Sequence, residues 1–186
     1  MFSMESPAPL ASRTGTVLVT GNPTTQPRLA PTPDHRAGKH LVFRLATEDF
    51  GIRVARVQEI LGIMEITSVP QTPPSVKGVI NLRGRVIPVI DLRLRLGFPP
   101  QDYAEHTCIV VVRTRPAAVD LLTGIVVDEV SEVVNILPED IQDTPDFGTS
   151  IPSPYLLGMA RINDKVRILL DIEEILSNRG SIPGQP

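Results

Sequence analysis

From residue 41 onward, apolar and polar positions alternate with a period of two, which is the repeat of a β-strand that buries one face. Segments 41–45 and 50–54 show this repeat first, and a hairpin turn is predicted between them at 47–49. Further short segments follow at 57–62, 66–69, 79–82, 85–92, 130–136, 157–162 and 166–170. Two more, at 108–112 and 121–127, are continuous apolar runs, which indicate strands buried on both faces. The pattern predicts a mostly β fold of about ten short strands.

Three short helical turns are predicted between the strands, at 74–78, 93–96 and 172–176. Asp171 precedes the last of them and is expected to cap it. Pro88 has no amide proton, so its strand is expected to lie at a sheet edge or to bulge there. Elements of this size suggest two small barrels or one sandwich, and the loop near 97–106 is a natural midpoint that favours two barrels.

Residues 1–38 differ in composition from the rest of the chain. They contain six prolines and nine serines or threonines, and their only apolar stretch is 17–19. Such a segment buries too little surface to offset its ordering entropy, so we predict a mobile tail, with a docked strand at 16–20 as the alternative. The C-terminal residues 179–186 are predicted to fray. The folded domain is therefore expected at 39–178.

Charge and composition narrow the class of protein. The chain has 18 basic and 21 acidic side chains, a balance that excludes a globally basic nucleic-acid binder. No apolar run approaches the roughly 20 residues that span a bilayer, and the N-terminus does not resemble a signal peptide. The single cysteine, Cys108, excludes an internal disulfide framework and suits a reducing compartment. A cytoplasmic protein is expected.

The side chains that usually carry catalysis are not arranged for it. His35, His40 and His106 have no cysteine or carboxylate at metal-ligand spacing, and a solvated loop pair is the better interpretation of the first two. Cys108 begins an apolar run and is interpreted as a core thiol. The acidic residues Asp128, Glu129, Glu132, Glu139 and Asp140 are interpreted as a solvated edge. No phosphate loop or nucleophile elbow occurs, so neither an enzyme nor a cofactor is expected.

Four motifs nevertheless point to one family. They are FGI…VQEI within 50–60, GVINLRGRVIPVIDLR at 78–93, GIVVDEV at 124–130 and ILLDI at 168–172. Together, in this order, they resemble the CheW family of chemotaxis coupling proteins over residues 39–178.

This resemblance implies two intertwined five-stranded SH3-like barrels with a few short helices. It also implies a non-catalytic scaffold that couples chemoreceptors to the histidine kinase CheA in membrane-attached arrays. The implied partners are the CheW-like regulatory domain of CheA, the cytoplasmic hairpin tip of a chemoreceptor, and further copies of the chain in rings. Neither nucleic acid nor direct membrane insertion is implied.

Carried over by position, the resemblance implies a receptor- and kinase-binding groove. Its residues would be Val57, Glu59, Ile60, Asn81, Arg83 and Gly84, with Gly124, Ile125, Val126 and Val127 lining the other wall. A core role is the alternative for Ile60 and Val126, and Gly84 fits a turn that needs a positive φ. Asp91, in the same motif, fits a cap or turn acceptor better than a contact residue.

The charged residues predict an ion pair and a contact between domains. Glu59 and Arg83 are the charged residues inside the most specific motifs, and we expect them to form an ion pair. Residues 39–100 carry nine basic and five acidic side chains, whereas residues 101–186 carry six basic and fourteen acidic side chains. This asymmetry favours head-to-tail contacts between homologous domains.

A small nucleic-acid-binding barrel is the alternative function. Against it, Phe43 and Phe50 lie on the apolar phase of their strands, whereas base stacking needs exposed aromatic side chains.

Overall fold

A computed structural model describes residues 34–115, 120–144 and 151–177, and eleven strands and two short helices account for most of them. The strands are β1 Gly38–Leu45, β2 Glu48–Arg53, β3 Val57–Gly62, β4 Val76–Leu82, β5 Arg85–Asp91, β6 Cys108–Thr114, β7 Leu121–Val127, β8 Glu129–Ile136, β9 Ile141–Gln142, β10 Leu156–Ile162 and β11 Lys165–Leu170. The helices are α1 Leu92–Arg95 and α2 Ile172–Ser177. The prediction of a mostly β fold with a few short helices is confirmed. Within the described ranges, no helix is long and apolar enough to cross a membrane.

The strands form two sheets, and the chain passes from the first sheet to the second and back again. Sheet 1 has the order β8-β1-β2-β11-β10-β9, and sheet 2 has the order β3-β6-β7-β5-β4. The chain starts in sheet 1, crosses to sheet 2 through a single 3₁₀ turn at Val54–Arg56, and returns at Asp128. The loop at 97–106 joins two strands of the same sheet, so the divide expected there does not separate the sheets.

Sheet 2 has a further connection between its two edges. The segment that follows the edge strand β3 runs to the opposite edge, where Thr67 and Val79 of β4 exchange two backbone hydrogen bonds of 2.9 Å. Gly78 precedes this bridge with φ +140°, a conformation that side-chain-bearing residues rarely adopt. The bridge brings the end of β3 close to the β4–β5 hairpin.

The two sheets share one aliphatic core. Phe43 and Phe50 of sheet 1, Val110 and Ile125 of sheet 2, and Ile175 of α2 all lie in one cluster of fully buried residues. Two smaller clusters lie on the sheets separately, one around Val42 and Leu169 and one around Ile87 and Val111. Burial of each large aliphatic side chain stabilises the fold by about 1.5–3 kcal/mol. Hydrophobic packing in the shared cluster is therefore the main interaction that holds the two sheets together.

Most of the predicted turns and caps are confirmed. The first hairpin turn lies at 46–47 rather than at 47–49, because Glu48 and Asp49 already pair with Leu45 and Arg44 in the β1–β2 ladder. The Arg83-Gly84 and Asn163-Asp164 turns have positive φ at both positions, as two-residue hairpins of matching twist require. Asp91 caps α1 by accepting the Leu94 amide at 3.2 Å. Asp171 accepts the amides of Glu173 and Glu174 at 3.0 and 3.1 Å. Each cap satisfies backbone donors that the first turn of a helix leaves free.

Two local predictions were wrong for the same reason, which is strand pairing. The expected helical turn at 74–78 is instead a turn at Pro74–Ser75 followed by β4, because the β4–β5 ladder starts at Val76. Pro88 lies in β5 between β4 and β7, neither at an edge nor at a bulge. The parallel pairing of β5 with β7 begins only at Val89, so Pro88 precedes that ladder and needs no amide proton for it.

The chain termini are only partly covered by the structure. The predictions of a mobile tail, of a docked strand at 16–20 and of fraying at 179–186 fall on residues outside those described, apart from residues 34–38. Those five are held in place: the Arg36 guanidinium pairs with Asp34 at 2.8 Å and Asp143 at 2.7 Å and donates to the Leu157 carbonyl at 3.0 Å. The folded region therefore begins before residue 39.

The interpretation of His40 as a solvated loop residue was wrong. His40 lies in β1 and is only 1% exposed, and its Nδ1–H donates to the Gly38 carbonyl at 3.0 Å. Its Nε2 has no hydrogen-bond partner among the described residues. Burial lowers the pKa of the imidazole, and the charge of Arg53 lowers it further, against a smaller opposing effect of the Gly38 hydrogen bond. His40 is therefore neutral in the folded state near pH 7.

Acidification is expected to destabilise the fold through His40. Because its pKa is lower in the folded chain than the usual 6.5, the unfolded chain takes up the proton first, and stability falls as the pH drops below that value. The slope for one proton is at most about 1.4 kcal/mol per pH unit. Urea unfolding at several pH values should show this slope in the natural chain and in the exposed control His106→Gln. An unchanged slope in His40→Leu would assign the effect to other groups.

Candidate protein-binding surfaces

An exposed ion pair joins β3 to the β4–β5 hairpin. Nη2 of Arg83 lies 2.7 Å from Oε1 of Glu59, which confirms the predicted pair. The Arg83 side chain is 78% exposed, whereas that of Glu59 is 25% exposed. We call the surface around this pair the ion-pair face, defined by Val57, Glu59, Ile60, Asn81, Arg83 and Gly84.

A hydrogen bond within the β4–β5 hairpin stabilises the turn that contains Arg83. The Asn81 side-chain oxygen accepts the Gly84 amide at 2.9 Å across the turn. Arg83 and Gly84 both have positive φ, 52° and 81°, so the role proposed for Gly84 as a turn residue is confirmed. A surface ion pair contributes only about 0–1 kcal/mol to stability, so this one acts mainly by fixing the orientation of the exposed guanidinium.

Large apolar side chains are also exposed on β3 and in the segment that follows it. Ile60 is 43% exposed, which excludes the alternative core role for this residue. Ile63, Met64 and Val69, in the segment that follows β3, are large apolar side chains exposed to a similar degree. Large apolar side chains exposed in one stretch of the chain are typical of a surface that another protein covers.

The other wall expected for this groove is not at the surface. Gly124, Ile125, Val126 and Val127 are all buried in β7, which lies between β6 and β5 in the middle of sheet 2. The alternative core role is therefore the observed one for Val126. An added Cβ at Gly124 would lie 2.8 Å from Cγ2 of Ile109, so the glycine permits close packing inside the sheet. These four residues therefore belong to the interior of sheet 2 and do not line an exposed groove.

The acidic residues at 128–132 are paired with arginines, although the side chains of Glu129 and Glu132 stay 42% and 49% exposed, as the interpretation of a solvated edge expects. Glu129 pairs with Arg44 at 3.0 Å, and Glu132 pairs with the buried Arg167 at 2.6 Å. Asp128 accepts from the Arg93 guanidinium and, at 2.7 Å, from the Ala46 amide. Since Arg93 follows β5 and Ala46 follows β1, Asp128 ties sheet 2 to sheet 1 at the point where the chain crosses.

A second candidate surface is a concave cleft of about 460 Å³ between α2 and the face of sheet 2 that carries the shared core. It has an apolar floor and a polar rim, and we call it the cleft. Its lining residues are Ser75, Val76, Pro88, Ile90, Arg95, Thr114, Arg115, Leu121, Thr123, Glu173, Glu174, Leu176 and Ser177. Sequence reasoning missed this site because its residues come from separate strands, helices and loops, which only the tertiary fold brings together.

Arg95 links the cleft to the shared core. Its Nε and Nη2 donate to the Ile175 carbonyl of α2 at 3.1 and 2.9 Å, so α1 and α2 are held together behind the cleft. Glu173, at the rim, pairs with Arg56 at 2.8 Å and accepts the Arg115 amide at 3.1 Å. The cleft is therefore built from elements whose relative positions are fixed by polar contacts as well as by packing.

Comparison with a protein-family model identifies the family of this chain. The model, described as the CheW-like domain, matches residues 39–180, which include both sheets and both helices. The chain belongs to the CheW family.

Individual CheW proteins show the same relationship. The chemotaxis protein CheW of Klebsiella aerogenes is 38% identical over 138 residues, which cover 74% of this chain and 81% of that protein. CheW of Helicobacter pylori is 34% identical over 134 residues, covering 72% and 78%. Among solved structures, the scaffolding protein TtCheW from Thermoanaerobacter tengcongensis matches with a TM-score of 0.67 and 33% identity, over 75% of this chain and 92% of that one.

Membership in the CheW family identifies the chain as a chemotaxis scaffold that couples receptors and CheA and has no catalytic activity. The alternative of a nucleic-acid-binding barrel is therefore set aside. No group of three or more His, Cys, Asp or Glu side chains in the described ranges is placed to hold a metal ion. Cys108 lies half-buried at the start of β6, where its thiol donates to the His106 carbonyl at 3.2 Å.

Proposed function

We propose that this CheW-family chain connects a chemoreceptor to CheA through two separate surfaces, the ion-pair face and the cleft. The observation that carries the proposal is the difference between them in shape and chemistry. The ion-pair face combines an edge strand, a hairpin tip and an exposed charged pair. The cleft is concave with an apolar floor. Two such surfaces on one scaffold fit two partners of different structure.

The ion-pair face is assigned to the CheW-like regulatory domain of CheA. An edge strand and a hairpin can lie against the sheet of another β domain, with the exposed Ile60 covered in the contact. The six residues of the ion-pair face are therefore proposed as kinase-binding residues. The resemblance implied a receptor-facing groove at these positions, but the wall that would complete it is buried in β7.

The charges of the two sheets support a head-to-tail contact. Residues 54–127, which build sheet 2, carry eight basic and six acidic side chains. The sequence ranges 34–53 and 128–177, in which the strands of sheet 1 and α2 occur, carry seven basic and fourteen acidic side chains. The basic side of one domain therefore complements the acidic side of a homologous domain. Heterologous contacts of this kind close into rings when the rotation between domains allows it, and CheA domains and further copies of this chain are the proposed ring members.

The cleft is assigned to the cytoplasmic hairpin tip of the chemoreceptor. An amphipathic helix lays its apolar face into a hydrophobic groove, and Val76, Ile90 and Leu121 provide such a groove here. In this assignment the scaffold acts in the cytoplasm, attached to the membrane only through the receptor.

Reconstitution tests the coupling directly. Receptor-bearing vesicles, purified CheA and this chain are mixed and sedimented, and CheA is measured in the pellet. We expect CheA to sediment with the vesicles in proportion to the amount of this chain added. Equal sedimentation of CheA with and without the chain, over a range of concentrations, would contradict the proposed coupling.

Salt is expected to slow the association of this chain with the CheA regulatory domain. Charges on opposite domains mainly set the association rate and orientation, while apolar contacts hold the complex. Raising the salt from about 0.05 to 0.5 M shortens the Debye length to well below 10 Å, so the association rate should fall while the dissociation rate changes less. Stopped-flow or surface-based kinetics measure both rates. An association rate that does not depend on salt would contradict electrostatic steering, and the contact would then depend on shape complementarity alone.

A further inference from the structure

The β4–β5 and β10–β11 hairpins are two versions of one structural unit. Residues 78–92 and 158–172 correspond position by position without a gap. Each unit begins with a glycine of positive φ, at which the ladder between its two strands shifts register. Each ends with an aspartate whose side chain accepts an amide of the helix that follows. Equivalent positions in the two sheets can therefore be compared directly.

One buried position differs in charge between the two units. In sheet 2 it holds Ile87, which pairs with Ile80 in the ladder and is 2% exposed. In sheet 1 it holds Arg167, which pairs with Ala160 and is also 2% exposed. Since a charge loses its hydration when it is buried, an apolar side chain is the less costly occupant of such a position. The unit folds with isoleucine there, so the charge of Arg167 is not needed to form the hairpin.

Arg167 is held by polar contacts within its own sheet. Its Nη2 lies 2.6 Å from Oε1 of Glu132 in β8, and its Nη1 donates to the Ile162 carbonyl at 2.9 Å. Its Nε has no hydrogen-bond partner among the described residues. In sheet 1, β1 and β2 lie between β8 and β11, so the ion pair joins two strands that are not neighbours. A buried ion pair with an unsatisfied donor is seldom better for stability than apolar packing, and its best-established use is to fix a register.

The hydrophobic pattern of β8 does not by itself specify a register. Val134 and Ile136 belong to the buried cluster around Val42. Val133, and Leu137 directly after the strand, are 55% and 45% exposed. Since strand side chains alternate with a period of two, a slip by one residue would exchange these two apolar sets. In the described part of the chain β8 pairs only with β1, so a single neighbouring strand opposes the slip.

We propose that Arg167 is a positioning residue that fixes the register of β8 through its ion pair with Glu132. Glu132 lies on the same face of β8 as Val134, two residues away, and its carboxylate reaches the guanidinium in the observed register. A slip by one residue would place Ser131 or Val133 there, and neither can neutralise the buried charge. A buried charge that loses its partner is strongly unfavourable, so the slipped pairing is disfavoured. Arg167 thereby determines which apolar side chains of β8 face solvent.

Hydrogen exchange and NMR on Arg167→Ile test the inference. This variant places in sheet 1 the residue that sheet 2 has at the equivalent position. We expect its urea midpoint to equal or exceed that of the natural chain, because apolar packing replaces a buried charge. The β8 amides should nevertheless lose protection by at least about tenfold, or give a second set of signals, while the β10 amides keep their protection. Natural protection and a single set of signals for β8 would overturn the inference, and so would a loss shared equally by β8 and β10.

Two further variants serve as controls. Arg167→Met keeps a long unbranched side chain, and it gives the same readout if isoleucine does not fit beside Ala160. Arg44→Met removes the half-exposed guanidinium that pairs with Glu129 across β1 and β8. It should keep the single register and the natural protection of β8. Equal loosening of β8 in Arg44→Met would contradict the specific role of Arg167.

Removing the carboxylate tests the pair from its other side. In Glu132→Gln the guanidinium of Arg167 stays buried without this counter-charge, so the urea midpoint should fall. Adding Arg167→Ile to this variant should restore the midpoint, whereas β8 should remain less protected than in the natural chain. If the effects of the two changes simply add, the residues do not act as a pair, and the inference is overturned.

Discussion

Replacing Gly78 with alanine is expected to be among the most destabilising single changes in this chain. An added Cβ would overlap the backbone carbonyl oxygen of Thr67 and lie 2.8 Å from its carbon and 3.0 Å from the Ser68 Cα. All three are backbone atoms, which cannot rotate away as a side chain can. The φ of +140° adds strain for any side-chain-bearing residue. We expect a loss of roughly 3–5 kcal/mol, a large part of the stability of a domain of this size.

Chemical unfolding measures the stability of Gly78→Ala, and Gly62→Ala is the control variant. Gly62 ends β3, has no neighbouring atom within 4 Å of an added Cβ and has no unusual φ, so alanine there should change stability by less than about 1 kcal/mol. The Thr67–Val79 bridge should also lose protection from hydrogen exchange in Gly78→Ala. Equal midpoints for the two variants would show that the segment after β3 can move away without loss, and that the bridge does not fix the ion-pair face.

Local features of this fold could be predicted from the sequence because each depends on neighbouring residues. Asp91 and Asp171 cap helices through amides two or three residues further on. The Arg83-Gly84 turn needs positive φ, which glycine adopts without cost. The Glu59–Arg83 pair was predictable from family motifs, and in the structure the Thr67–Val79 bridge also joins the segment after β3 to β4.

Features that depend on distant strands could not be predicted in this way. The helical turn at 74–78 and the edge position of Pro88 followed sound local rules, and both were overridden by the pairing of β4, β5 and β7. The burial of His40 follows from β8 lying beside β1, and these strands are about 90 residues apart in the chain. The cleft needs five or more separate segments. A single sequence with period-two strands specifies which face is buried, but not which neighbour buries it.

Replacing Arg83 with glutamate is expected to abolish the coupling of this chain to CheA while the fold is kept. The change removes a guanidinium that is 78% exposed and places a second carboxylate beside Glu59. Because the ion pair is at the surface, the free energy of unfolding should change by no more than about 1 kcal/mol. Binding of the CheA regulatory domain should weaken at least tenfold, since like charges at the contact reverse the local complementarity and repel the acidic partner surface. Calorimetry measures the binding, and urea unfolding measures the stability.

Arg161→Glu is the matched control, because the β10–β11 hairpin carries an exposed pair between Arg161 and Asp164 at 2.9 Å on the other sheet. It makes the same change of charge at a similar hairpin and should leave CheA binding within about twofold of the natural chain. The charge-swapped double variant Glu59→Arg with Arg83→Glu restores the pair in reverse. If the pair serves to orient the hairpin, this variant should recover most of the binding, whereas direct recognition of the guanidinium by CheA predicts no recovery. Natural binding by Arg83→Glu alone would exclude the ion-pair face as the kinase contact.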